Sequence, residues 1–201
     1  GKAAEAVKQQ LESSDGAKLQ GLINNAGVVG DGFGWHGVKN SDFVINTNVY
    51  GPLHTTNAFL PLLEPEGGRV VMVSSGSAPM FVEKCSEAVQ AKFIDEDVTL
   101  EQVAELLTAY RKAGEANAEG SDDPKLEAAV SKAFKDAGFA ESTYGISKAA
   151  LNCVTMFIAK KYPKLKVNSC SPGFIATDLV KPLAEQRGVT AEQMGALPVE
   201  K

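Results

Sequence analysis

The 201 residues hold little that a metal or a disulfide framework could use: three cysteines (Cys85, Cys153, Cys170) and two histidines (His36, His54). An odd number of cysteines without CxxC spacing indicates neither a disulfide scaffold nor a zinc site. Basic residues are in deficit, 20 Lys+Arg against 25 Asp+Glu, for a net charge of −5. That argues against a nucleic-acid binder that relies on general positive charge. Long apolar runs are missing too. The longest, Leu151 to Ala159, is interrupted by Asn152 and Thr155 and falls far short of the ~20 residues of a membrane span. No apolar stretch follows Gly1, so no signal peptide is visible, and a reducing, cytoplasmic home with no membrane partner is the expectation. The chain opens without Met, which fits either processing or a piece of a longer chain. What remains is ordinary: 44% hydrophobic and 22% charged, a globular mix suited to one domain or at most two small ones.

Helical and strand patterns alternate along the chain. Residues 3–14 carry Ala3, Ala6, Val7, Gln10 and Leu11 at helical spacing. Leu19 to Ile23 predicts a short buried strand that runs into the turn Asn24-Asn25-Ala26-Gly27. Val28 to Asn40 is Gly-rich and aperiodic, a loop. Ser41-Asp42 can cap a helix reaching Leu63, which Gly51-Pro52 should bend or delay. Arg69 to Ser75 is the strongest strand, and its β-branched run predicts burial on both faces in a parallel sheet. From about Val82 to Gly138 the chain turns polar and helical. Thr99-Leu-Glu-Gln102 has a capping-box start ahead of Val103, Leu106, Leu107 and Tyr110. Asp123-Pro124 opens another helix. Tyr144 to Tyr162 is a long, mostly apolar helix stopped by Pro163. Lys166 to Ser171 is a third strand, Pro172-Gly173 turns the chain, and a polar segment follows. Such alternation means α/β with crossovers onto a parallel sheet.

Candidate chemistry gathers at the strand ends. Tyr144 and Lys148 are four apart, so a helix puts them on one face. An ammonium beside a phenol favours the phenolate and lowers its pKa, making a proton donor or acceptor of the pair; the alternative is a solvated chance pair. Ser75 ends the best strand, where open α/β sheets bind ligands, or merely caps the next turn. Asn24 to Gly27 ends the preceding strand, where Gly27 lets a ligand approach the backbone or simply makes a turn. Pro172-Gly173 and Thr177 follow the third strand in the same way.

Taken in order, Asn24-Asn-Ala-Gly27, Asn48, Ser75, Tyr144 with Lys148, and Pro172-Gly173 with Thr177 resemble the short-chain dehydrogenases/reductases over roughly residues 15–185. Between Ser75 and Tyr144 lies a long helical insert, where most of that family has a short link. Arg69 to Ser75, Lys92-Phe93 and Thr99-Leu-Glu-Gln102 are similar to its monomeric carbonyl-reductase branch, which implies a monomer. The alternative for the insert is an unrelated lid or interaction arm.

The resemblance implies a Rossmann-like, doubly wound parallel sheet, present in part as strands 4, 5 and 6. It makes residues 1–201 one partial catalytic domain with an insertion at 82–138, truncated at both ends. The first strand would then be an edge open to association. It further implies NADP(H)-dependent reduction of a small-molecule ketone or aldehyde, NAD(H) not being excluded. In that reading Tyr144 gives the proton and Lys148 lowers its pKa and holds the nicotinamide ribose. Ser75 orients the substrate carbonyl, and Asn48 positions a water linking Lys148 to solvent. Asn25, Ala26 and Gly27 contact the cofactor, as do Pro172 and Gly173, while Ile175 and Thr177 hold the carboxamide. Phe33, Trp35, Met80, Phe81 and Phe174 could line an apolar substrate pocket or belong to the core.

One departure is large: the family's Gly-rich phosphate turn after a first strand is absent. Gly32-Phe-Gly-Trp-His-Gly37 matches the string GxGxxG but follows a turn rather than a strand, so it reads as a loop at the mouth of the site. Two rivals follow. A non-catalytic remnant would act as a binding or assembly element. A serine hydrolase would use Ser75 with His54 or His36, but no GxSxG elbow is present.

Overall fold

The computed structural model describes residues 1–29, 40–115 and 123–199. Three strands, β1 (Gly21–Asn24), β2 (Arg69–Val73) and β3 (Lys166–Cys170), form a parallel sheet in the order β1-β2-β3. In register, Ile23 lies beside Val71 and Asn24 beside Met72, while Met72 also faces Ser169 across the second ladder. Every parallel neighbour needs a crossover, and the helices α1 (Lys2–Glu12), α2 (Ser41–Ile45), α3 (Gly51–Phe59), α4 (Ser77–Glu83), α5 (Glu87–Phe93), α6 (Leu100–Gly114), α7 (Pro124–Asp136) and α8 (Thr143–Lys161) lie between or before the strands.

The sheet is covered on one face among the described residues. Val70 and Met72 of β2 are fully buried, whereas Val71 and Val73 are half-buried, and Ile23 of β1 is 68% exposed. This corrects the expectation that β1 is a buried strand and that β2 is buried on both sides. A β-branched run reports a good strand, but its burial depends on what packs against each face. The buried face meets α3 and α8. Helix α8 is enclosed by the sheet, α4 and α6, as its apolar all-round surface requires.

The expected helix from Ser41 to Leu63 is interrupted. After α2 the chain widens into a π turn, Asn46–Tyr50, in which the Gly51 N–H donates to the Asn46 carbonyl five residues back. Pro52 then opens α3 within its first turn, where its missing N–H is tolerated. Helix α6 begins with the expected capping box: the Thr99 N–H donates to Gln102 Oε1 at 2.7 Å, and the Gln102 N–H to Thr99 Oγ1 at 3.2 Å. The apolar stripe of these helices, with Leu106, Leu107 and Tyr110 of α6 and Val130 and Phe134 of α7, joins the main core. The C-terminal stretch is not merely polar. It carries α9 (Lys181–Gln186) and a second small cluster of Val180, Ala184, Ala191 and Ala196.

Candidate active site

The turn after β1 is held from both sides. Asn24 buries its amide, donating to Thr56 Oγ1 at 3.0 Å and meeting Met72 Sδ at 3.2 Å. Beyond it, the Val28 N–H donates to Asn48 Oδ1 and Asn48 Nδ2 donates to the Val28 carbonyl, both at 2.8 Å. The same Nδ2 reaches Ser147 Oγ at 3.0 Å, and Ser147 donates to the Tyr144 carbonyl at 2.8 Å. Asn48 sits within the π turn, a wide helical turn of the kind that often marks functional sites. Its side chain is fully buried and works as a clamp between the β1 turn and α8.

Tyr144 and Lys148 share one face of α8, next to the end of β2. The Tyr144 phenol is hydrogen-bonded to Ser75, and Ser75 Oγ accepts the Ser77 N–H at 3.1 Å. Lys148 Nζ donates to the Val73 carbonyl at 2.8 Å and lies 5.7 Å from the centre of the Tyr144 ring. A Cβ placed on Gly27 would stand 3.2 Å from that ammonium and 3.4 Å from Asn48 Oδ1. A side chain there would crowd the ammonium, which would have to give by a few tenths of an ångström.

Burial decides the protonation states. It pushes the Tyr144 phenol above its ordinary value, with the Ser75 hydrogen bond pulling partly back. The expected lowering by Lys148 is not seen: burial, which penalises the phenolate, has the largest effect. Burial also brings Lys148 down to about 8. At neutral pH the phenol holds its proton and the amine is still mostly charged.

These groups open on a cleft of ≈ 810 Å³ at the carboxyl ends of all three strands. Of the expected residues, Asn25, Gly27, Ser75, Tyr144 and Lys148 line it from one side, and Pro172, Gly173, Ile175 and Thr177 from the other. Gly173 adopts φ +91°, a left-handed conformation that a side chain would strain. Ala26 and Asn48 are not part of the lining. Met80, Phe174 and Leu179 add apolar surface to the rim, Met80 being 58% exposed. Phe81 does not: it is buried against Phe93 and Tyr110 in the core. Phe33, Trp35, His36 and the Gly32–Gly37 string lie outside the described residues. His54 stacks near Tyr50.

Residues 2–93 match the sequence profile described as short chain dehydrogenase. Carbonyl reductase (NADPH) 1 of Rattus norvegicus is 28% identical over 193 residues, which is 90% of this chain and 63% of that protein. The human protein of the same description gives the same figures. Among solved structures, salutaridine reductase from Papaver somniferum superposes with a TM-score of 0.67 at 22% identity, covering 88% of this chain and 66% of that one. Menthone neomenthol reductase from Mentha piperita gives 0.60 at 25% identity, covering 94% and 73%. The chain is similar to the short-chain dehydrogenases over residues 2–93, a little under half of its length. It spans a little under two thirds of the length of the rat and human carbonyl reductases, 63% of each.

Its α/β, Rossmann-like fold is shared with salutaridine reductase. Within that frame, sequence reasoning passed over Ser147, which couples Asn48 to the backbone of Tyr144. A serine in the middle of an apolar helix is a visible signal, because its hydroxyl can bond a carbonyl one turn back. Its partner Asn48 lies 99 positions away, and nothing local announces that pairing. No helix among the described residues is long and apolar enough to cross a membrane.

Proposed function

We propose that this chain carries the catalytic centre of an NADPH-dependent carbonyl reductase, reducing an apolar ketone or aldehyde. The observation that carries the reading is the Tyr144 phenol hydrogen-bonded to Ser75, with the Lys148 ammonium 5.7 Å from the centre of its ring, in the lining of the strand-end cleft. We further infer one catalytic domain with an insertion at residues 82–138, in which α5, α6 and α7 lie and whose start α4 straddles.

The residues present fit the nicotinamide end of the cofactor. Lys148 has three N–H donors, and the hydrogen bond it makes among the described residues is to Val73. The others are available to a ribose hydroxyl in the cleft that Gly27 leaves open. Asn25 and Gly27 on one wall, and Pro172, Gly173, Ile175 and Thr177 on the other, would hold the ring and its carboxamide. When bound, the nicotinamide supplies the hydride that goes to the carbonyl carbon.

The side chains do the rest. Ser75 donates a hydrogen bond to the substrate oxygen and fixes it beside Tyr144. Tyr144 releases its proton to that oxygen, and the charge left on the phenolate is stabilised by Lys148. A phenol whose pKa is raised suits this direction, because it arrives protonated at neutral pH. Met80, Phe174 and Leu179 offer the substrate an apolar wall, which supports a hydrophobic carbonyl compound over a charged one. The hydrolase alternative gains nothing here: the contacts of Ser75 are with Tyr144 and Ser77, and His54 lies by Tyr50.

The test is Tyr144→Phe, measured by NADPH consumption with an apolar ketone and by NADPH fluorescence. Turnover should drop by about two orders of magnitude or more, with cofactor binding nearly unchanged. Turnover close to the parent's would remove Tyr144 from the role. Absence of NADPH binding by the parent chain would favour a non-catalytic binding element.

A further inference from the structure

The start of α8 carries only half of a capping box from its own sequence. Ser142 is its N-cap, and the Ser142 hydroxyl accepts the Gly145 N–H at 2.9 Å. In a capping box the residue at this third helical position sends a side chain back to the N-cap N–H. Here that residue is Gly145, and a Cβ on it would stand 2.8 Å from Phe81 Cβ and 2.9 Å from the Ser142 hydroxyl. Close packing against α4 therefore forbids the side chain that would complete the box.

The missing acceptor comes from the insert. Tyr110 of α6 takes the Ser142 N–H on its phenol oxygen at 3.0 Å and pairs with Thr143 Oγ1 at 3.4 Å. Its ring is wedged between Phe81, Phe134 and Phe139, with centroids 6.1, 4.7 and 5.7 Å away, and is 1% exposed. Burial drives the pKa of this phenol far above its ordinary value, so it stays neutral and does not titrate with the site.

We propose that Tyr110 is a positioning residue for Tyr144: the helical insert caps α8 in trans and so sets where the phenol two residues on meets Ser75. The inference deepens the reductase reading and rests on it for its functional consequence. The cap itself is a matter of geometry. It also gives the insert a task in the site beyond covering surface.

The experiment uses the full chain with tyrosine labelled at the ring carbon that bears the hydroxyl. Tyr110→Phe removes one oxygen and keeps the ring. Phe134→Leu loosens the same aromatic cluster and keeps the oxygen, so it reports a purely structural effect. In Tyr110→Phe the Ser142 amide should exchange about tenfold faster relative to core amides such as Val70 and Met72. The Tyr144 resonance should shift at neutral pH while those of Tyr50 and Tyr162 stay. In Phe134→Leu, protection should fall throughout the insert with the Tyr144 resonance in place.

Unchanged Ser142 exchange and an unmoved Tyr144 signal in Tyr110→Phe would overturn the proposal. So would a Tyr144 shift of equal size in Phe134→Leu. Should Tyr144→Phe keep its turnover while these NMR results hold, the reductase reading fails and the trans cap stands. The two failures are thus distinguishable.

Discussion

Lys148 is placed where it costs stability. Its side chain is buried on α8 and its pKa is lowered from 10.5 to about 8 by desolvation. Below about 8 both the folded and unfolded chains carry the charge, and the folded chain bears the full desolvation penalty. Between about 8 and 10.5 the folded chain sheds its proton first, so stability rises with pH across that window. Lys148→Met should therefore stabilise the fold near neutral pH by about 1–2 kcal/mol, a figure discounted for the open cleft and the lost Val73 bond. Denaturant midpoints near neutral pH and again above it check this: the advantage of the variant should shrink as pH rises through the window. A variant less stable than the parent at neutral pH would show that the ammonium is well solvated. A residue retained against stability is what a functional role predicts.

At the scale of elements, the site depends on how helices meet. Gly145 lets α8 pack on α4, with Phe81 in the space a Cβ would occupy. Alanine is worth about 1 kcal/mol more than glycine inside a helix, yet Gly145→Ala should lower stability by about 1–3 kcal/mol through overpacking. Urea unfolding decides the sign, and a more stable variant would contradict the packing described. The elements themselves were largely legible. Thr99-Leu-Glu-Gln102 announced its capping box, and the α8 pattern ran from Tyr144 to Tyr162 against Thr143–Lys161 observed. Gly51-Pro52 announced a disturbance but not its form. The π turn carries Asn48, whose partners Val28 and Ser147 lie 20 and 99 positions away, so nothing local announces it. The second cluster around Val180 and Ala196 went unseen because it is built mainly of alanines in a polar stretch.

For the whole molecule, three strand ends and one helix bring distant residues to a single cleft. That Tyr144, Lys148 and Ser75 line one cleft was legible from the four-residue spacing on α8 and from Ser75 standing just past β2. What could not be read was their protonation. Two residues four apart on a helix suggest a lowered phenol pKa, whereas the depth of burial, a property of the assembled core, raises it. One-sided cover of the sheet was also invisible, since β-branched residues favour a strand whether or not both faces are packed. The most direct measurement is label transfer: the chain is given NADPH deuterated on the transferable position together with an apolar ketone, and the alcohol is analysed by mass spectrometry. The account predicts deuterium on the carbinol carbon with the parent chain and loss of that product with Tyr144→Phe. An unlabelled alcohol, or labelled alcohol formed equally well by Tyr144→Phe, would contradict it.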